Sequence, residues 1–328
     1  MQNPNELQLR QLGTTDLRVS PLGLGCWPLA GMTSGPVTDE EAAAIVRTSL
    51  DCGINFLDTA YCYGLNGESE RAIAAAIGSH RREFVIASKG GIHWDPPRTQ
   101  IRDARPATLH RECRESLARL GTEWIDLYYL HAPDPATPLA ESAGALKELL
   151  DAGMIRSVGV SNVTVEQLRE FQAVCPVAAV QPPYNMLQRG IEADLLPYCR
   201  EQQISVIVYW PLLKGLLAGK LGRDHVFPAS DSRAKYPMFQ GEEFTRNVAL
   251  VEELRTIAAD SGHTVAELVL NWTIQQPGIT VALCGAKNAE QARENSGGQG
   301  WALKPSQLTA IDAALARRGT PVMQSAVS

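Results

Sequence analysis

The sequence predicts an α/β protein folded as a TIM-type (β/α)8 barrel, and three observations support this fold class. Eight short apolar segments recur along the chain, and most of them are followed by a segment with helical periodicity. None of the eight alternates polar with apolar residues, which is typical of parallel strands that are buried on both faces. Several segments end in a polar or ionisable residue, and barrel enzymes carry their active sites at the carboxyl ends of the strands.

The main competitor is an open, doubly wound sheet. Such a sheet normally carries a G-x-G-x-x-G turn after its first strand, and residues 24–28 contain no such turn. Barrels of this type routinely use about 250 residues or more as one domain. We therefore expect residues 1–328 to form a single barrel domain.

The first half of the chain carries clear signals for helix starts and ends. Thr38, with Glu41 three residues later, is a capping box, and Gly53, Gly78 and Gly121 are typical of helix ends. The predicted elements are, in order, a β-hairpin at 8–20, a strand at 22–25, a helix at 38–52, a strand ending at 58, a helix at 68–77, a strand at 84–88 and a helix at 106–120.

The second half continues the alternation to a final helix. The predicted strands lie at 125–130, 155–160, 177–181, 204–209 and 279–283, and the predicted helices at 138–152, 164–173, 190–202, 244–260, 264–276, 289–295 and 305–317. One segment departs from this pattern, because residues 214–243 contain several glycines and prolines and show no periodicity. Structureless loops of this length are usually functional, for example as lids.

The composition argues against several classes of protein. The 328 residues carry a formal net charge of −6 and contain no basic block, which argues against a nucleic-acid or anionic-membrane partner. No segment reaches the roughly 20 apolar residues of a membrane span, and the N-terminus lacks a signal-peptide pattern, so we expect a cytoplasmic protein. The seven cysteines lack C-x-x-C spacing and the six histidines are dispersed, so we expect no metal site.

Four residues near the predicted strand ends suit proton transfer. Asp58, Tyr63, Lys89 and His131 lie at or just beyond the ends of strands two, three and four. A tyrosine has a pKa of about 10, and a neighbouring ammonium group lowers it. A carboxylate holds the lysine in place, and a histidine orients a substrate oxygen or relays its proton. Such a set can protonate a developing alkoxide.

Each of these residues also has a purely structural explanation. Asp58 could cap a helix, Tyr63 could pack at the barrel mouth, and His131 could be an ordinary core histidine. Lys89 is harder to explain, because a buried lysine needs a partner. Since four such groups follow three neighbouring strands, a functional cluster is favoured.

The motifs around these residues resemble those of the aldo-keto reductases. The segment 55–64 is similar to that family's D-T-A-x-x-Y-G signature, and later motifs match in order and spacing at 88–89, 130–134, 159–162, 181–185 and 285–295. The resemblance runs from Leu9 to Asn295 and is closest to bacterial, broad-specificity members. It implies that the N-terminal hairpin plugs the bottom of the barrel.

The resemblance also implies a role for each site residue. Tyr63 would be the general acid in the reducing direction, with Lys89 as its pKa-lowering partner. Asp58 would anchor the lysine, and His131 would position the substrate carbonyl. The residues implied to bind the dinucleotide are Ser161, Asn162, Gln181, Tyr209, Trp210, Pro211, Leu212, Gly215, Leu216, Gly285, Lys287, Gln291, Glu294 and Asn295.

NADPH is the implied cofactor. By the resemblance, Ser161, Asn162 and Gln181 would bind the nicotinamide carboxamide, Tyr209 would stack on the ring, and residues 211–216 would follow the pyrophosphate. A glycine after the last strand and then a helix N-terminus are, by themselves, typical of a phosphate site. Lys287 lies there and suits a 2′-phosphate, although an ordinary exposed lysine is the alternative.

Two positions depart from the family pattern, and two others bear on the substrate. Trp210 stands where many relatives have serine, which removes a hydroxyl that could contact a cofactor phosphate. Cys284 stands where relatives often have proline, and we expect this to matter little. Trp27 and Trp94 follow strands one and three and could wall an apolar or sugar-binding pocket, or be structural.

The leading interpretation is an oxidoreductase that uses NADPH to reduce an aldehyde or ketone reversibly, with NADP+ serving the reverse reaction. Its partner would be a small carbonyl or alcohol compound, sugars and polyols included. The alternative is an NADPH-binding regulatory subunit, because the potassium-channel β subunits resemble the same barrel. A metal-dependent barrel hydrolase is disfavoured because it would need clustered histidines. The substrate, the preferred direction and assembly into a homo-oligomer stay open.

Overall fold

A computed structural model of the chain describes residues 8–32, 37–96, 98–228 and 231–322. The strands are β1 (Arg10–Gln11), β2 (Arg18–Val19), β3 (Leu22–Gly25), β4 (Phe56–Asp58), β5 (Val85–Gly90), β6 (Ile92–Asp95), β7 (Thr99–Arg102), β8 (Leu127–Leu130), β9 (Val158–Ser161), β10 (Ala179–Gln181), β11 (Ser205–Val208) and β12 (Ile279–Cys284). The α-helices are α1 (Asp39–Asp51), α2 (Glu68–Ile77), α3 (Pro106–Leu120), α4 (Leu139–Asp151), α5 (Val165–Gln172), α6 (Leu195–Glu201), α7 (Gly241–Ala259), α8 (Val265–Gln275), α9 (Ala289–Ser296) and α10 (Pro305–Arg318). The sequence observations on residues 1–6 lie outside the described ranges.

Eight strands close into a parallel barrel. Its order is β3, β4, β5, β8, β9, β10, β11 and β12, and β12 pairs with β3 to complete the ring. Two helices, α7 and α8, separate β11 from β12, and two more, α9 and α10, follow β12. The predicted (β/α)8 barrel with extra helices is therefore confirmed.

The N-terminal hairpin closes the bottom of the barrel. β1 and β2 pair antiparallel, and Leu12 and Val19 are fully buried in one cluster with inward side chains of the barrel, such as Phe56 and Leu127. Gly13 approaches the Ala178 carbonyl so closely that a Cβ there would lie 2.5 Å from it. Ala178 directly precedes β10, so the hairpin covers the amino ends of the strands and leaves their carboxyl ends open.

Three parts of the structure differ from the predictions. The antiparallel hairpin β6–β7 was not expected, because its strands are only four residues long and neither is a continuous apolar run. Residues 213–239 contain short 3-10 turns at Leu213–Ala218, Ser232–Lys235 and Pro237–Phe239, which leave no periodic signal, and α7 begins at Gly241 rather than 244.

The helix predicted at 190–202 is also shorter than expected. α6 begins at Leu195, after a separate 3-10 turn at Gly190–Glu192. Pro197 explains the late start, because proline lacks an N–H and is tolerated in the first helical turn but not in the interior.

Candidate active site

Three neighbouring strands bring the predicted proton-transfer residues to one rim. β4, β5 and β8 lie side by side in parallel register. Asp58 ends β4, Lys89 is the penultimate residue of β5, and His131 directly follows β8. Tyr63 reaches the same place from the turn after β4, where its hydroxyl lies 3.4 Å from Nζ of Lys89. The structure therefore brings all four residues together.

A buried ion pair lies at the centre of this group. Lys89 is 1% exposed, and its Nζ lies 2.5 Å from Oδ1 of Asp58. Nζ also donates to the Thr59 carbonyl at 2.8 Å, and Nε2 of Gln181 donates to Oδ2 of Asp58 at 2.7 Å. Burial raises the pKa of Asp58, while Lys89 and Gln181 oppose that rise. Because both charges are hydrogen-bonded, the ammonium is held in place beside Tyr63.

The environment of Tyr63 corrects one expectation. The sequence predicts that the ammonium of Lys89 lowers the pKa of this phenol. Burial, followed by the charge of Asp58, instead raises the pKa of Tyr63 well above its ordinary value. Burial has this effect because a phenolate would lose its hydration. In the chain by itself, Tyr63 is a protonated phenol, which is the form that a proton donor needs.

His131 is a neutral imidazole. Burial, helped by the positive charges of Lys89 and Arg102, lowers the pKa of His131 well below its ordinary value. Its ring lies 6.1 Å from that of Tyr63, and its Nδ1 lies 3.6 Å from Sγ of Cys62. The imidazole can therefore offer one N–H to a substrate oxygen without carrying a charge.

The two predicted substrate-site tryptophans lie next to Tyr63. Trp27 packs edge-on against the Tyr63 ring, with the ring centroids 5.0 Å apart. Trp94, on β6, donates from Nε1 to the Cys62 carbonyl at 2.8 Å and packs with Tyr63 in a small apolar cluster. Both tryptophans are partly exposed, so they present aromatic surface beside the hydroxyl-bearing residue.

Arg102 belongs to the site but was missed in the sequence. It lies on β7, in the hairpin that was not predicted, and lines a cavity of about 410 Å³ together with Pro133, Asp134 and Asn162. Its charge contributes to the lowered pKa of His131. A four-residue edge strand gives too short a pattern to be found from sequence.

Residues at the ends of β9, β10 and β11 form a second group, in which Ser161 and Gln181 are buried and Asn162 and Tyr209 are partly exposed. Ser161 donates to the Gln181 carbonyl at 2.8 Å. Asn162 donates to Oγ of Ser161 and to the His131 carbonyl, both at 3.0 Å. The hydroxyl of Tyr209 donates to Oδ1 of Asn162 at 2.8 Å. The residues predicted to meet the nicotinamide are thus linked in one hydrogen-bonded chain.

The segment that follows β11 is tightly turned. Trp210 packs edge-to-face on Tyr209, with centroids 5.3 Å apart, and Nζ of Lys214 lies 3.9 Å from the centroid of the Trp210 ring. Trp210 stands where many relatives have serine, and its ring contacts the ammonium of Lys214. Among the other predicted residues here, Pro211 and Leu216 are buried, whereas Leu212 and Gly215 are partly exposed.

The loop after β12 leads directly into α9. Asn288 caps this helix, since its side chain accepts from the N–H of Gln291 at 2.8 Å. Lys287 is exposed, and its N–H donates to Oε1 of Gln291 at 3.0 Å. A cation therefore stands next to a helix N-terminus, where an anion is favoured.

Three other predicted residues, Gly285, Glu294 and Asn295, contribute to the packing and hydrogen bonding of this loop. A Cβ at Gly285 would lie 2.8 Å from Pro28, so no side chain fits there without movement. Asn295 is buried and donates to the Gly285 carbonyl at 3.1 Å. Glu294 pairs with Lys220 at 2.6 Å. In the structure, Asn295 is an anchor of the loop.

The second group fits a nicotinamide dinucleotide. Amide and hydroxyl groups near β9 and β10 offer donors and acceptors to a carboxamide, and the partly exposed Tyr209 offers an aromatic face. The start of α9 and Lys287 offer positive charge to phosphate. These features lie on one rim between β9 and β12.

A comparison with protein families decides what kind of protein this is. The model of the aldo/keto reductase family matches residues 21–316. The chain belongs to the aldo/keto reductase family. It is accordingly an oxidoreductase that acts on carbonyl compounds, and the resemblance seen in its motifs is confirmed.

Two relatives in the aldo/keto reductase family are bacterial proteins that match over most of their length. The aldo-keto reductase YhdN of Bacillus subtilis (strain 168) is 36% identical over 312 residues, which cover 94% of each chain. The NADH-specific methylglyoxal reductase of Escherichia coli (strain K12) is 35% identical over 302 residues, covering 87% of this chain and 91% of the relative.

Solved structures of the family show the same barrel. The glycerol dehydrogenase AKR11B4 from Gluconobacter oxydans has a TM-score of 0.90 and 35% identity, covering 98% of this chain and 99% of that structure. An aldo/keto reductase from Klebsiella pneumoniae in complex with NADP and acetate has a TM-score of 0.73 and 29% identity, covering 97% of both chains.

Two further observations concern membrane and metal binding. No helix among the described residues combines the length and the apolar character needed to cross a membrane. Within the same residues, no group of three or more His, Cys, Asp or Glu side chains is placed to hold a metal ion.

Proposed function

We propose that this aldo/keto reductase uses NADPH to reduce a small aldehyde or ketone to the alcohol, reversibly, with Tyr63 as the general acid. The observation that carries the proposal is the buried pair of Lys89 and Asp58, whose ammonium lies 3.4 Å from the Tyr63 hydroxyl. Relatives named for methylglyoxal and glycerol support a small, polar substrate.

Tyr63 delivers the proton. When bound, the nicotinamide cofactor supplies the hydride. The phenol of Tyr63 gives its proton to the substrate oxygen as that oxygen becomes an alkoxide. Lys89 stabilises the remaining phenolate, because its ammonium is already beside the oxygen and needs no reorganisation. Asp58, which holds that ammonium at 2.5 Å, keeps the lysine from turning away.

His131 positions the substrate oxygen. Its Nδ1 lies 3.6 Å from Sγ of Cys62, and we assign the thiol as the donor in this contact, which leaves the ring proton on Nε2 to donate to the carbonyl oxygen. A neutral donor polarises the carbonyl but leaves the proton transfer to Tyr63. Trp27 and Trp94 would then form the apolar wall of the substrate site.

Cofactor choice follows from the late strands. Ser161, Asn162 and Gln181 would hold the carboxamide of the nicotinamide, and Lys287 would bind the 2′-phosphate that distinguishes NADPH from NADH. The NADP complex of the Klebsiella enzyme supports this choice, whereas the NADH-specific Escherichia coli relative makes a direct comparison necessary.

A fluorescence titration with NADPH and NADH, followed by a panel of aldehydes and ketones, tests the proposal. We expect saturable binding, tighter for NADPH, and turnover of several small carbonyl compounds followed by the loss of NADPH absorbance. Tight NADPH binding without turnover of any panel member would favour the regulatory-subunit alternative. No binding of either cofactor would contradict the proposal.

A further inference from the structure

We propose that Arg102 binds an anionic group of the substrate, so that the enzyme prefers small carbonyl compounds that carry a carboxylate or a phosphate. The inference rests on the proposed function, because it takes the carbonyl to be reduced beside Tyr63 and His131, and it names the class of substrate. Both anionic groups present oxyanions, which a guanidinium can bind through two parallel N–H bonds.

Arg102 lies on the face of the β6–β7 hairpin that is turned toward Tyr63. In the antiparallel register Ile92 lies directly opposite Arg102, and Trp94 follows two residues after Ile92. Directly opposed residues project from the same face, as do residues two apart on one strand, so these three side chains share a face. Ile92 and Trp94 pack with Tyr63 in one apolar cluster. The guanidinium therefore projects from the surface that adjoins the proton donor.

A cavity of about 410 Å³ lies next to this face. Arg102 lines it together with Asn162 and with Ala132, in the loop after β8. Ala132 also belongs to the apolar cluster around Tyr63. Asn162 donates to the His131 carbonyl at 3.0 Å, so the cavity adjoins the residue that would position the substrate oxygen as well. A cavity of this size suits a small ligand.

In the described part of the chain, the guanidinium of Arg102 has neither an ion pair nor a hydrogen bond. Its neighbour Arg105 differs, because it pairs with Asp103 at 2.6 Å. Arg102 is only partly exposed, so water does not fully replace the missing partners. A half-buried charge without a counter-ion is unfavourable, and a bound anion would relieve this.

The two carboxylates that line the cavity leave Arg102 available. Asp134 accepts from Oγ1 of Thr137 at 2.7 Å and from the N–H of Ala136 at 2.9 Å. Glu170, on α5, is exposed. Neither of these carboxylates forms an ion pair with Arg102. An anion from outside the protein can therefore serve as its counter-ion.

The charge of Arg102 also acts on the predicted reaction site. After burial and the charge of Lys89, it contributes to lowering the pKa of His131. The guanidinium therefore lies close enough for its field to act on the imidazole that would hold the substrate oxygen. A short compound with a carbonyl at one end and an oxyanion at the other can contact both residues.

Matched pairs of substrates test the assignment, because the members of each pair differ chiefly in the anionic group. One pair is butanal and 4-oxobutanoate, and the other is glyceraldehyde and glyceraldehyde 3-phosphate. The unmodified enzyme should have a kcat/KM about tenfold or more higher for the anionic member of a pair. The loss of NADPH absorbance measures each rate.

Three variants assign this preference to one residue. Arg102→Met should raise KM for an anionic substrate by about 10- to 100-fold with little change in kcat, and should change the neutral substrates by less than about twofold. Arg102→Lys should retain part of the preference, because it keeps the charge but loses the planar fork. The matched control Arg98→Met, at the exposed turn of the same hairpin, should behave as the unmodified enzyme. Thermal unfolding checks folding, and Arg102→Gln replaces the methionine variant if that one is unfolded.

The outcomes separate the inference from its alternatives. A loss confined to the carboxylate pair or to the phosphate pair would support the assignment and identify the oxyanion. Equal losses for anionic and neutral substrates, or no preference in the unmodified enzyme, would overturn it. A loss of NADPH binding in Arg102→Met, measured by fluorescence titration, would also overturn it and place Arg102 at the cofactor.

Failure of the proposed function gives a different result. The unmodified enzyme would then reduce none of the four aldehydes, and the inference about Arg102 would fall with the proposed function. Reduction of the neutral aldehydes without any effect of Arg102→Met on their anionic counterparts would overturn the inference alone.

Discussion

The early and the late strands of the barrel contribute to the active site in different ways. The cluster from β4, β5 and β8 has a buried centre, because Lys89 and Asp58 are 1% and 2% exposed and are bonded to one another and to Gln181 of β10. The rim from β9 to β12 instead ends in accessible groups, such as Tyr209 and Lys287. We therefore propose that folding alone organises the proton-delivery residues, whereas the dinucleotide site is completed by its ligand.

The largest effect should come from breaking the cluster from β4, β5 and β8 at Lys89. Lys89→Met leaves Asp58 as a buried carboxylate with only Gln181 as a side-chain partner, and breaking a buried pair costs about 3–5 kcal/mol of unfolding free energy. Turnover should fall by about 10²–10⁴, because the phenolate of Tyr63 loses its stabilising charge. Denaturant unfolding and steady-state rates measure the two effects.

The pH dependence of the Lys89→Met variant sharpens this prediction. Burial already raises the pKa of Asp58, and removal of the ammonium raises it further. A group whose pKa is raised by folding stabilises the protein at low pH and loses that contribution as pH rises through its folded value. The variant should therefore be less destabilised at pH 5 than at pH 8, and adding Asp58→Asn should restore part of the stability at pH 8. An equal loss at both pH values would mean that the buried charge is not the cause.

A smaller and more selective effect is expected on the open rim. Lys287→Glu should weaken NADPH by about 10- to 100-fold and NADH much less, because only NADPH carries the 2′-phosphate. The maximal rate at saturating cofactor should change little, since the proton-transfer cluster is untouched. Cofactor titration and steady-state kinetics measure this, and equal losses for both cofactors would show that the 2′-phosphate contact is wrong.

The smallest effect should come from Tyr209→Phe. This change keeps the aromatic ring and removes the hydrogen bond to Asn162, which is 2.8 Å long. This bond positions the Asn162 amide and contributes about 1 kcal/mol, so the loss of positioning should lower cofactor affinity by up to about fivefold for NADPH and NADH alike. Titration with both cofactors measures it, and a loss as large as that of Lys287→Glu would mean that the ring itself has moved.

The cluster from β4, β5 and β8 was the more predictable region. Local signals define its strands and helices, as shown by α2 and α3, which occupy the predicted residues 68–77 and 106–120. Glycines at 78 and 121 end these helices in the sequence and in the structure alike. Asp58 and Lys89 converge because any residue at the carboxyl end of a parallel strand lies on the same rim.

Contacts between distant segments could not be read from the sequence. Lys214 contacts the ring of Tyr236, which lies on a segment of irregular turns, and Arg102 lies near the rim on a short hairpin. The raised pKa of Tyr63 was missed for a related reason, because burial is a property of the whole neighbourhood and outweighs the one charge that the motif identifies.

The most direct test is whether the early strands deliver the proton and the late strands bind the dinucleotide. The variant Tyr63→Phe, measured for turnover and for cofactor binding on the same preparation, provides it. We expect the rate to fall by about 10²–10⁴ while the dissociation constant of NADPH stays within about twofold of that of the unmodified enzyme. Near-normal turnover would remove Tyr63 as the proton donor, and a parallel loss of NADPH binding would show that the two regions do not act separately.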